Sequence, residues 1–286
     1  MILYVNNILN YILGPHILVL VMDQTKKYTH VIDFINDLHA EGRYSFTKEE
    51  ITGVFKGDLK QGLNRQVNKK RILWIRRGFY IIIPNEYIHS GILPPPLFID
   101  DLMKFIGKPY YVALSSAAAL YGSSHQQLQA FHVMIPGPER NINVGGVKVR
   151  FFVKKDFKSG EKIRHKTDTG YIRISIPELT ALDLVAYESR IGGINRIITI
   201  LNELEAQIRP EQLLREASEY RSIIIAQRLG YLLDLVNKSE TTELLAGWIA
   251  AENPPYSVLK PGGNYNDCQR DSRWKIIANV DIECDI

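Results

Sequence analysis

The sequence has few cysteines and no charge at all in its first 22 residues. Cys268 and Cys284 are the two cysteines, and they fall in no paired motif. This argues against a disulfide framework or a thiolate metal site and favours a reducing cytoplasm. The charge-free stretch lacks the basic start of a signal peptide, and its Gly14-Pro15 step makes a poor membrane span. We expect residues 1–22 to be a peripheral leader or a misassigned start, with Met22 as the first residue.

A convincing catalytic motif is also missing. His125 and His132 have no cysteine nearby, whereas a metal site needs three or four converging N, O or S ligands. A glycine-rich stretch, GPERNINVGG, lacks the strand–loop–helix setting and the ending of a phosphate loop. Three carboxylates that could suggest a nuclease spread around a predicted helix: Glu178, Asp183 and Glu188. We therefore expect no catalytic residue, no metal site, no cofactor and no enzymatic activity.

Positive charge is concentrated in one part of the chain. Residues 22–84 hold 12 Lys and Arg against 7 Asp and Glu, whereas residues 85–286 hold 23 against 24. Between Lys56 and Arg77, eight cations accompany a single acid, Asp58. Such a cluster is often only a solvated helix face, but it is also the electrostatic signature of a nucleic-acid-binding surface.

Two helices are predicted ahead of this cluster. The first begins at Tyr28 and carries an apolar stripe at helical spacing: Val31, Phe34, Ile35 and Leu38. The second begins at a capping box made by Thr47 and Glu50, with Phe46 and Ile51 placed as a hydrophobic staple.

A third helix and a β-hairpin carry the cluster itself. The helix is predicted from about Asp58 to Lys70, with Leu59, Leu63 and Val67 as its buried stripe. The segments ILWI and FYIII around an RRG turn then predict a two-stranded hairpin. Three helices followed by a hairpin is the order of a winged helix-turn-helix, which we assign to residues 23–84.

Double-stranded DNA is the partner that this arrangement predicts. At 100° per residue, four polar residues point away from the buried stripe and are the predicted base-reading set: Gln61, Asn64, Arg65 and Asn68. The side-chain amides of Gln61, Asn64 and Asn68 can hydrogen-bond the edge of an adenine base. The predicted phosphate contacts are cations on the helix and the wing: Lys56, Lys60, Lys69, Lys70, Arg76 and Arg77.

The rest of the chain predicts a second domain. Residues 85–97 form a proline-rich linker, and residues 98–286 form the domain. Two helices (FIDDLMKFIG and YYVALSSAAALYG) precede three strands (LQAFHVMIP, GVKVRFFVK and YIRISI). A second capping box, Ser175 with Glu178, opens a helical stretch that reaches about Ala251. Breaks are expected in that stretch near Gly192-Gly193, Arg209-Pro210, Arg221 and Lys238, and a closing strand near the C-terminus. The fold class is α+β: a winged helix-turn-helix followed by a larger mixed α/β domain.

The stretch YYVALSSAAALYGSSHQQ, residues 110–127, closely resembles the AbiEi family, the antitoxins of type IV toxin–antitoxin and abortive-infection systems. The likeness includes the RRGFYIIIP wing, the PPPLFIDDLMKFIGKPYYV junction, IPELTALDLVAY, AQRLGYLLDLV and the closing RWKIIANVDIECDI. Residues 1–22 depart from the family.

The resemblance implies a DNA-binding domain that represses its own operon in phage defence. It also implies a C-terminal domain that counteracts a nucleotidyltransferase toxin encoded nearby, without a stable complex. Two alternatives stay open: a nucleic-acid-modifying enzyme targeted by a winged helix, and an antitoxin that binds its toxin directly. No membrane partner is expected.

Overall fold

A computed structural model of the chain describes residues 27–87, 92–123, 128–236, 239–262 and 264–282. Its internal contacts divide the chain into two units, Met1–Ile88 and His89–Ile286. The expected leader, residues 1–22, lies outside the described residues. Among the described helices, none combines the length and apolar character needed to cross a membrane.

The N-terminal unit follows the order helix, strand, helix, helix, strand, strand. Its elements are α1 (Val31–Ala40), β1 (Ser45–Thr47), α2 (Lys48–Val54), α3 (Leu59–Asn68), β2 (Ile72–Arg76) and β3 (Phe79–Ile82). The predicted apolar stripe of α1 is confirmed, since all four of its side chains are buried. The predicted start at Tyr28 is wrong. The backbone of Tyr28 pairs instead with Val54 and Lys56 at the end of α2, so that α1 begins at Val31.

The capping box at the start of α2 is confirmed. The Glu50 amide donates to Thr47 Oγ1 at 3.2 Å, and the Thr47 amide donates to Glu50 Oε2 at 2.6 Å. Phe46 and Ile51, the expected staple, are both buried. Two of the four otherwise unpaired amides at the helix start thereby gain partners, which fixes where α2 begins.

The hairpin of β2 and β3 has a third strand that the sequence analysis missed. β1 pairs antiparallel with β3, with Phe46 opposite Tyr80, and the sheet order is β1-β3-β2. The Phe46 and Tyr80 rings stack at 5.3 Å between centroids. The Lys48 amide donates to the carbonyl of Gly78 in the hairpin turn at 2.8 Å. The tip of the hairpin is therefore held against the start of α2.

The C-terminal unit is built on a six-stranded mixed sheet of order β6-β7-β5-β4-β9-β8. Its strands are β4 (Tyr111–Val112), β5 (Phe131–Ile135), β6 (Ile142–Val144), β7 (Val147–Val153), β8 (Lys162–Thr167) and β9 (Gly170–Ser175). β5 runs parallel to β7 and β4 parallel to β9, and the other pairs are antiparallel. The three predicted strands are confirmed. The single helix predicted over residues 110–122 is wrong at its start, because Tyr111 and Val112 enter the sheet.

Helices supply the rest of this unit's core. They are α4 (Ile99–Ile106), α5 (Leu114–Leu120), α6 (Pro177–Ala186), α7 (Ile194–Leu204), α8 (Pro210–Glu219), α9 (Ile223–Leu235) and α10 (Ser239–Glu252). The predicted breaks near Gly192-Gly193, Arg209-Pro210 and Arg221 are confirmed, and the one expected near Lys238 lies outside the described residues. The predicted capping box of α6 is wrong. Ser175 Oγ lies 2.6 Å from Thr180 Oγ1, and Glu178 is buried with Oε1 accepting from the Arg209 amide, so neither side chain caps the helix.

The C-terminal segment closes the core around one tryptophan. Three short strands form a separate sheet: β10 (Ser257–Val258), β11 (Arg270–Asp271) and β12 (Ile276–Ile277). Trp274 is fully buried against α9, and its Nε1 donates to Asp234 Oδ2 at 2.7 Å. A β-carbon at Gly230 would come within 2.1 Å of the Trp274 ring, so only glycine leaves room for it. The closing strand expected over residues 274–286 is, among the described residues, confined to Ile276–Ile277. The first part of the expected linker, Asn85–Tyr87, and its last part, Pro95–Leu97, form 3₁₀ turns.

Candidate functional site

The exposed face of α3 carries the four residues predicted to read bases. Gln61, Asn64, Arg65 and Asn68 are all exposed. The inward face differs from the prediction. Leu63 and Gln66 are buried, whereas Leu59 and Val67 are only partly buried. The structure therefore brings the four polar residues together on one solvent face, and their roles stay predictions.

Close packing against α1 sets the orientation of α3. A β-carbon at Gly62 would lie 2.5 Å from Val31 Cγ2, so α3 approaches α1 at its glycine. Asp58 caps the helix by accepting from the Gln61 amide at 3.0 Å. Asp58 is also the sole acid between Lys56 and Arg77 in the sequence. The one carboxylate of this stretch of sequence therefore serves as the helix cap.

The end of α3 is strained. The Lys70 amide donates to the Val67 carbonyl and the Arg71 amide to the Gln66 carbonyl, which is the hydrogen-bond pattern of a Schellman motif. That motif usually places glycine where Lys70 stands, and Lys70 has a φ of +55°. A left-handed conformation costs a non-glycine residue about 1–2 kcal/mol. The chain thus keeps a cation at a position where glycine would be more stable.

The predicted phosphate contacts are distributed over α3, its flanks and the hairpin. Lys56, Lys60, Lys69, Lys70 and Arg77 are exposed. Arg76 is half-buried within β2, so it presents less of its guanidinium to solvent than the prediction assumes.

Trp74 is a further exposed residue on the hairpin that the sequence analysis did not single out. It is 52% exposed, and it lies opposite Tyr80 across the pair of strands. No signal in the sequence indicated this exposure, because alternation along a strand would place Trp74 on the same face as the buried Ile72. A large aromatic side chain left in solvent beside Arg76 and Arg77 indicates a contact surface.

A buried polar cluster in the C-terminal unit was also missed. Asp183 Oδ1 accepts from Lys154 Nζ at 2.8 Å and from the Tyr220 hydroxyl at 2.9 Å, while Oδ2 accepts from the Tyr111 hydroxyl at 2.9 Å. Asp183 is fully buried and the Lys154 side chain is 7% exposed. Burial, followed by the charge of Asp183, raises the pKa of both tyrosines far above the usual value, so they stay protonated as donors. A closed, fully paired cluster is suited to holding the fold.

The other carboxylates of the rejected nuclease set do not join this cluster. Glu178 accepts from the Arg209 amide at 2.8 Å, and Glu188 begins a 3₁₀ turn. Of the two histidines considered in the sequence, only one lies among the described residues. His125 lies outside the described residues, and His132 is buried, which lowers its pKa to about 4 with the help of Arg150 and Arg196. Within the described residues, no group of three or more His, Cys, Asp or Glu side chains could hold a metal ion.

An open groove of about 730 Å³ lies on the C-terminal unit. Among the described residues of its wall, Lys148 is the single charged side chain, and these residues offer no acid–base pair. Its other lining residues are Ile92, Pro95, Pro96, Ser116, Ala119, Leu120, Leu128, Gln129, Ala130, Phe131, Gly146 and Val147. The mainly apolar lining is typical of a binding groove rather than of a catalytic site.

The chain is therefore an α+β protein with a small basic N-terminal unit and a larger C-terminal unit, which contains the buried Asp183 cluster. A known family model matches part of that larger unit. Residues 110–235 match the AbiEi antitoxin C-terminal domain, which confirms the family resemblance and supports an antitoxin role. No curated protein sequence matches the chain significantly.

Two solved structures are similar to the chain. The RV2827C protein from Mycobacterium tuberculosis aligns with a TM-score of 0.61 and 16% identity, over 85% of this chain and 89% of that one. This likeness shows a shared fold. An antigenic nucleotidyltransferase-like protein from Paracoccidioides brasiliensis aligns with a TM-score of 0.34 and 11% identity, over 51% of this chain and 88% of that one. That alignment is too weak to support an inference.

Proposed function

We propose that the chain is a DNA-binding autorepressor and the antitoxin of a type IV toxin–antitoxin system in phage defence. Its N-terminal unit acts as a winged helix-turn-helix on its own promoter. Its C-terminal unit counteracts a nucleotidyltransferase toxin encoded nearby. The observation that carries the first half is the exposed polar face of α3, and the match to the AbiEi antitoxin domain supports the second half.

The dimensions of α3 suit the major groove. Ten residues make a helix of about 15 Å at 1.5 Å per residue. The step from Gln61 to Asn68 is about 10 Å, which spans roughly three base pairs at about 3.4 Å each. A major groove about 12 Å wide admits such a helix. In this arrangement Asn64 and Arg65 lie in the middle of the face and approach the bases most closely.

The hairpin has the position and chemistry of a wing. Its turn is fixed to the start of α2 through the Gly78 carbonyl, so Arg77 is presented from a rigid support. Trp74 offers an aromatic surface beside the cations. Cations on a wing meet phosphate, which positions the protein, whereas the α3 face reads sequence.

The test is binding of a labelled promoter duplex and of a random duplex by full-length protein. Asn64→Ala or Arg65→Ala should cost about 1–3 kcal/mol on the promoter and much less on random DNA. Asn36→Ala is the matched control, because Asn36 is an exposed amide on α1. Equal losses on both duplexes would show that α3 does not read bases. Metal-dependent activity of residues 91–286 on nucleic acid would favour an enzyme instead.

A further inference from the structure

A second basic surface lies on the C-terminal unit, on the hairpin of β8 and β9. β8 is the edge strand of the six-stranded sheet, and the hairpin pairs Arg164 with Arg173 and Lys166 with Tyr171. Directly opposite residues of an antiparallel pair project to the same face. All four of these side chains are exposed, with Tyr171 48% exposed. They therefore form one continuous face, here called the hairpin face.

Electrostatics indicate that the hairpin face meets an anion. Like charges directly opposite each other in a sheet are destabilising, and Arg164 stands opposite Arg173. Of the acids beside this hairpin, Glu161 is already paired, since its carboxylate accepts from Arg215 and from Gln212 Nε2. Asp168 lies in the turn between the two strands, beyond the paired residues. Lys162 continues the same row along β8, but it turns inward and donates to the Ser159 and Gly160 carbonyls at 2.6 and 2.7 Å. The exposed cations of the face remain available to a ligand.

The aromatic ring narrows the choice of anion. The Arg164 guanidinium carbon lies 4.2 Å from the centre of the Tyr171 ring, so cation and ring form a stacked pair. Guanidinium groups pair with phosphate in a fork geometry, and an exposed ring accepts an unstacked base on its face. The carboxylates of an acidic peptide would pair with the cations but would make no contact with the face of the Tyr171 ring. In a duplex the bases already stack on each other and are not free to cover the ring.

We propose that the hairpin face binds single-stranded nucleic acid, with phosphates on Arg164, Arg173 and Lys166 and a base on Tyr171. This site is separate in sequence from the α3 face and does not depend on the proposed operator binding. Single-stranded RNA and single-stranded DNA would make these same contacts. The experiment therefore includes both kinds of strand.

The experiment measures fluorescence anisotropy of labelled 12-mers of uridine and thymidine and of a 12-base-pair duplex. Full-length protein carries Arg65→Ala with Arg77→Ala throughout, so that the N-terminal unit contributes equally little in every arm. Tyr171→Ala should weaken single-strand binding at least about fivefold, and Tyr171→Trp should restore it. Arg164→Ala with Arg173→Ala should lower the log–log salt slope by about 1.4, which is about 0.7 for each phosphate that the variant no longer neutralises.

The matched control is Arg190→Ala with Lys260→Ala, which removes two exposed cations of the same unit. It should bind like the parent protein, and circular dichroism confirms that each variant is folded. A preference for either the uridine or the thymidine strand supports the proposal and identifies the natural strand. The proposal is overturned if the parent binds neither strand or prefers the duplex. It is also overturned if Tyr171→Ala binds normally, or if polyglutamate competes as well as the oligonucleotides.

Discussion

Replacing Asp183 by asparagine should strongly destabilise the C-terminal unit. The carboxylate of Asp183 accepts three hydrogen bonds of 2.8–2.9 Å, and one of the donors is the ammonium of Lys154. With Asp183→Asn, this buried cation loses its counter-charge, and the new amide presents donors to groups that are themselves donors. Removing one partner of a buried ion pair costs about 3–5 kcal/mol. In a unit of this size that lowers the melting temperature by about 6–20 °C.

The assay follows unfolding by tryptophan fluorescence in a Trp74→Phe background. Trp248 and Trp274 are then the remaining tryptophans, and both belong to the C-terminal unit. Asp156→Asn is the control, because it breaks the solvent-accessible pair of the half-buried Asp156 with the exposed Arg221 and should cost less than about 1 kcal/mol.

A compensating change tests the cause. Lys154→Met added to Asp183→Asn removes the buried cation that has lost its counter-charge, while the amide oxygen at position 183 can still accept from the tyrosine hydroxyls. This double replacement should therefore recover most of the loss. The reasoning is refuted if Asp183→Asn costs no more than the exposed control. It is equally refuted if the double replacement is less stable than the single one.

Three further predictions concern salt, strain and pH. Arg76→Ala with Arg77→Ala should reduce the log–log salt slope of promoter binding by about 0.9 for each phosphate that these arginines neutralise, and an unchanged slope would contradict the wing. Lys70→Gly should stabilise the N-terminal unit by about 1 kcal/mol in urea unfolding, because it relieves the left-handed conformation. It should also weaken DNA binding, because it removes a cation, and tighter binding would contradict this prediction. His132 has a pKa of about 4 when folded against 6.5 when unfolded, so only the unfolded chain gains its proton as the pH falls between these values. Between pH 6.5 and 4, the unfolding free energy of wild type should therefore fall by about 3 kcal/mol more than that of His132→Leu. If urea unfolding shows the same pH dependence for both proteins, His132 does not contribute to it.

Local signals in the sequence were sufficient wherever a few neighbouring residues decide the structure. The capping box of Thr47 and Glu50 needs only contacts three residues apart, and it forms as predicted. Ser175 and Glu178 have the same spacing but no box. The Ser175 hydroxyl forms a hydrogen bond with Thr180, and the Glu178 carboxylate accepts one from the amide of Arg209, 31 residues away. A local pattern cannot anticipate such a distant competitor.

Short strands and buried ion pairs were missed for the same reason. β1 has three residues and β4 has two, too few for an alternating pattern to register. Lys154 and Asp183 are 29 residues apart in the sequence and meet only in the folded unit. On α3, the sequence predicted the exposed face, but Gln66 is buried where an apolar side chain would be expected. The base-reading and phosphate-binding roles remain predictions from the sequence.

The most direct measurement compares repression with protection in the same cells. A promoter reporter and growth under expression of the neighbouring toxin are recorded for three forms of the protein, all made from an independent promoter. Arg65→Ala with Arg77→Ala should release the reporter and still protect growth. Leu182→Asp places a charge at a fully buried position of α6, so it should abolish protection.

Arg190→Ala with Lys260→Ala, which removes two cations outside the N-terminal unit, should both repress and protect. Protein levels are checked by immunoblot, and the fold of Leu182→Asp by circular dichroism. The account predicts that repression and protection separate between the two units. Loss of protection by the Arg65 and Arg77 variant at normal protein levels would contradict it.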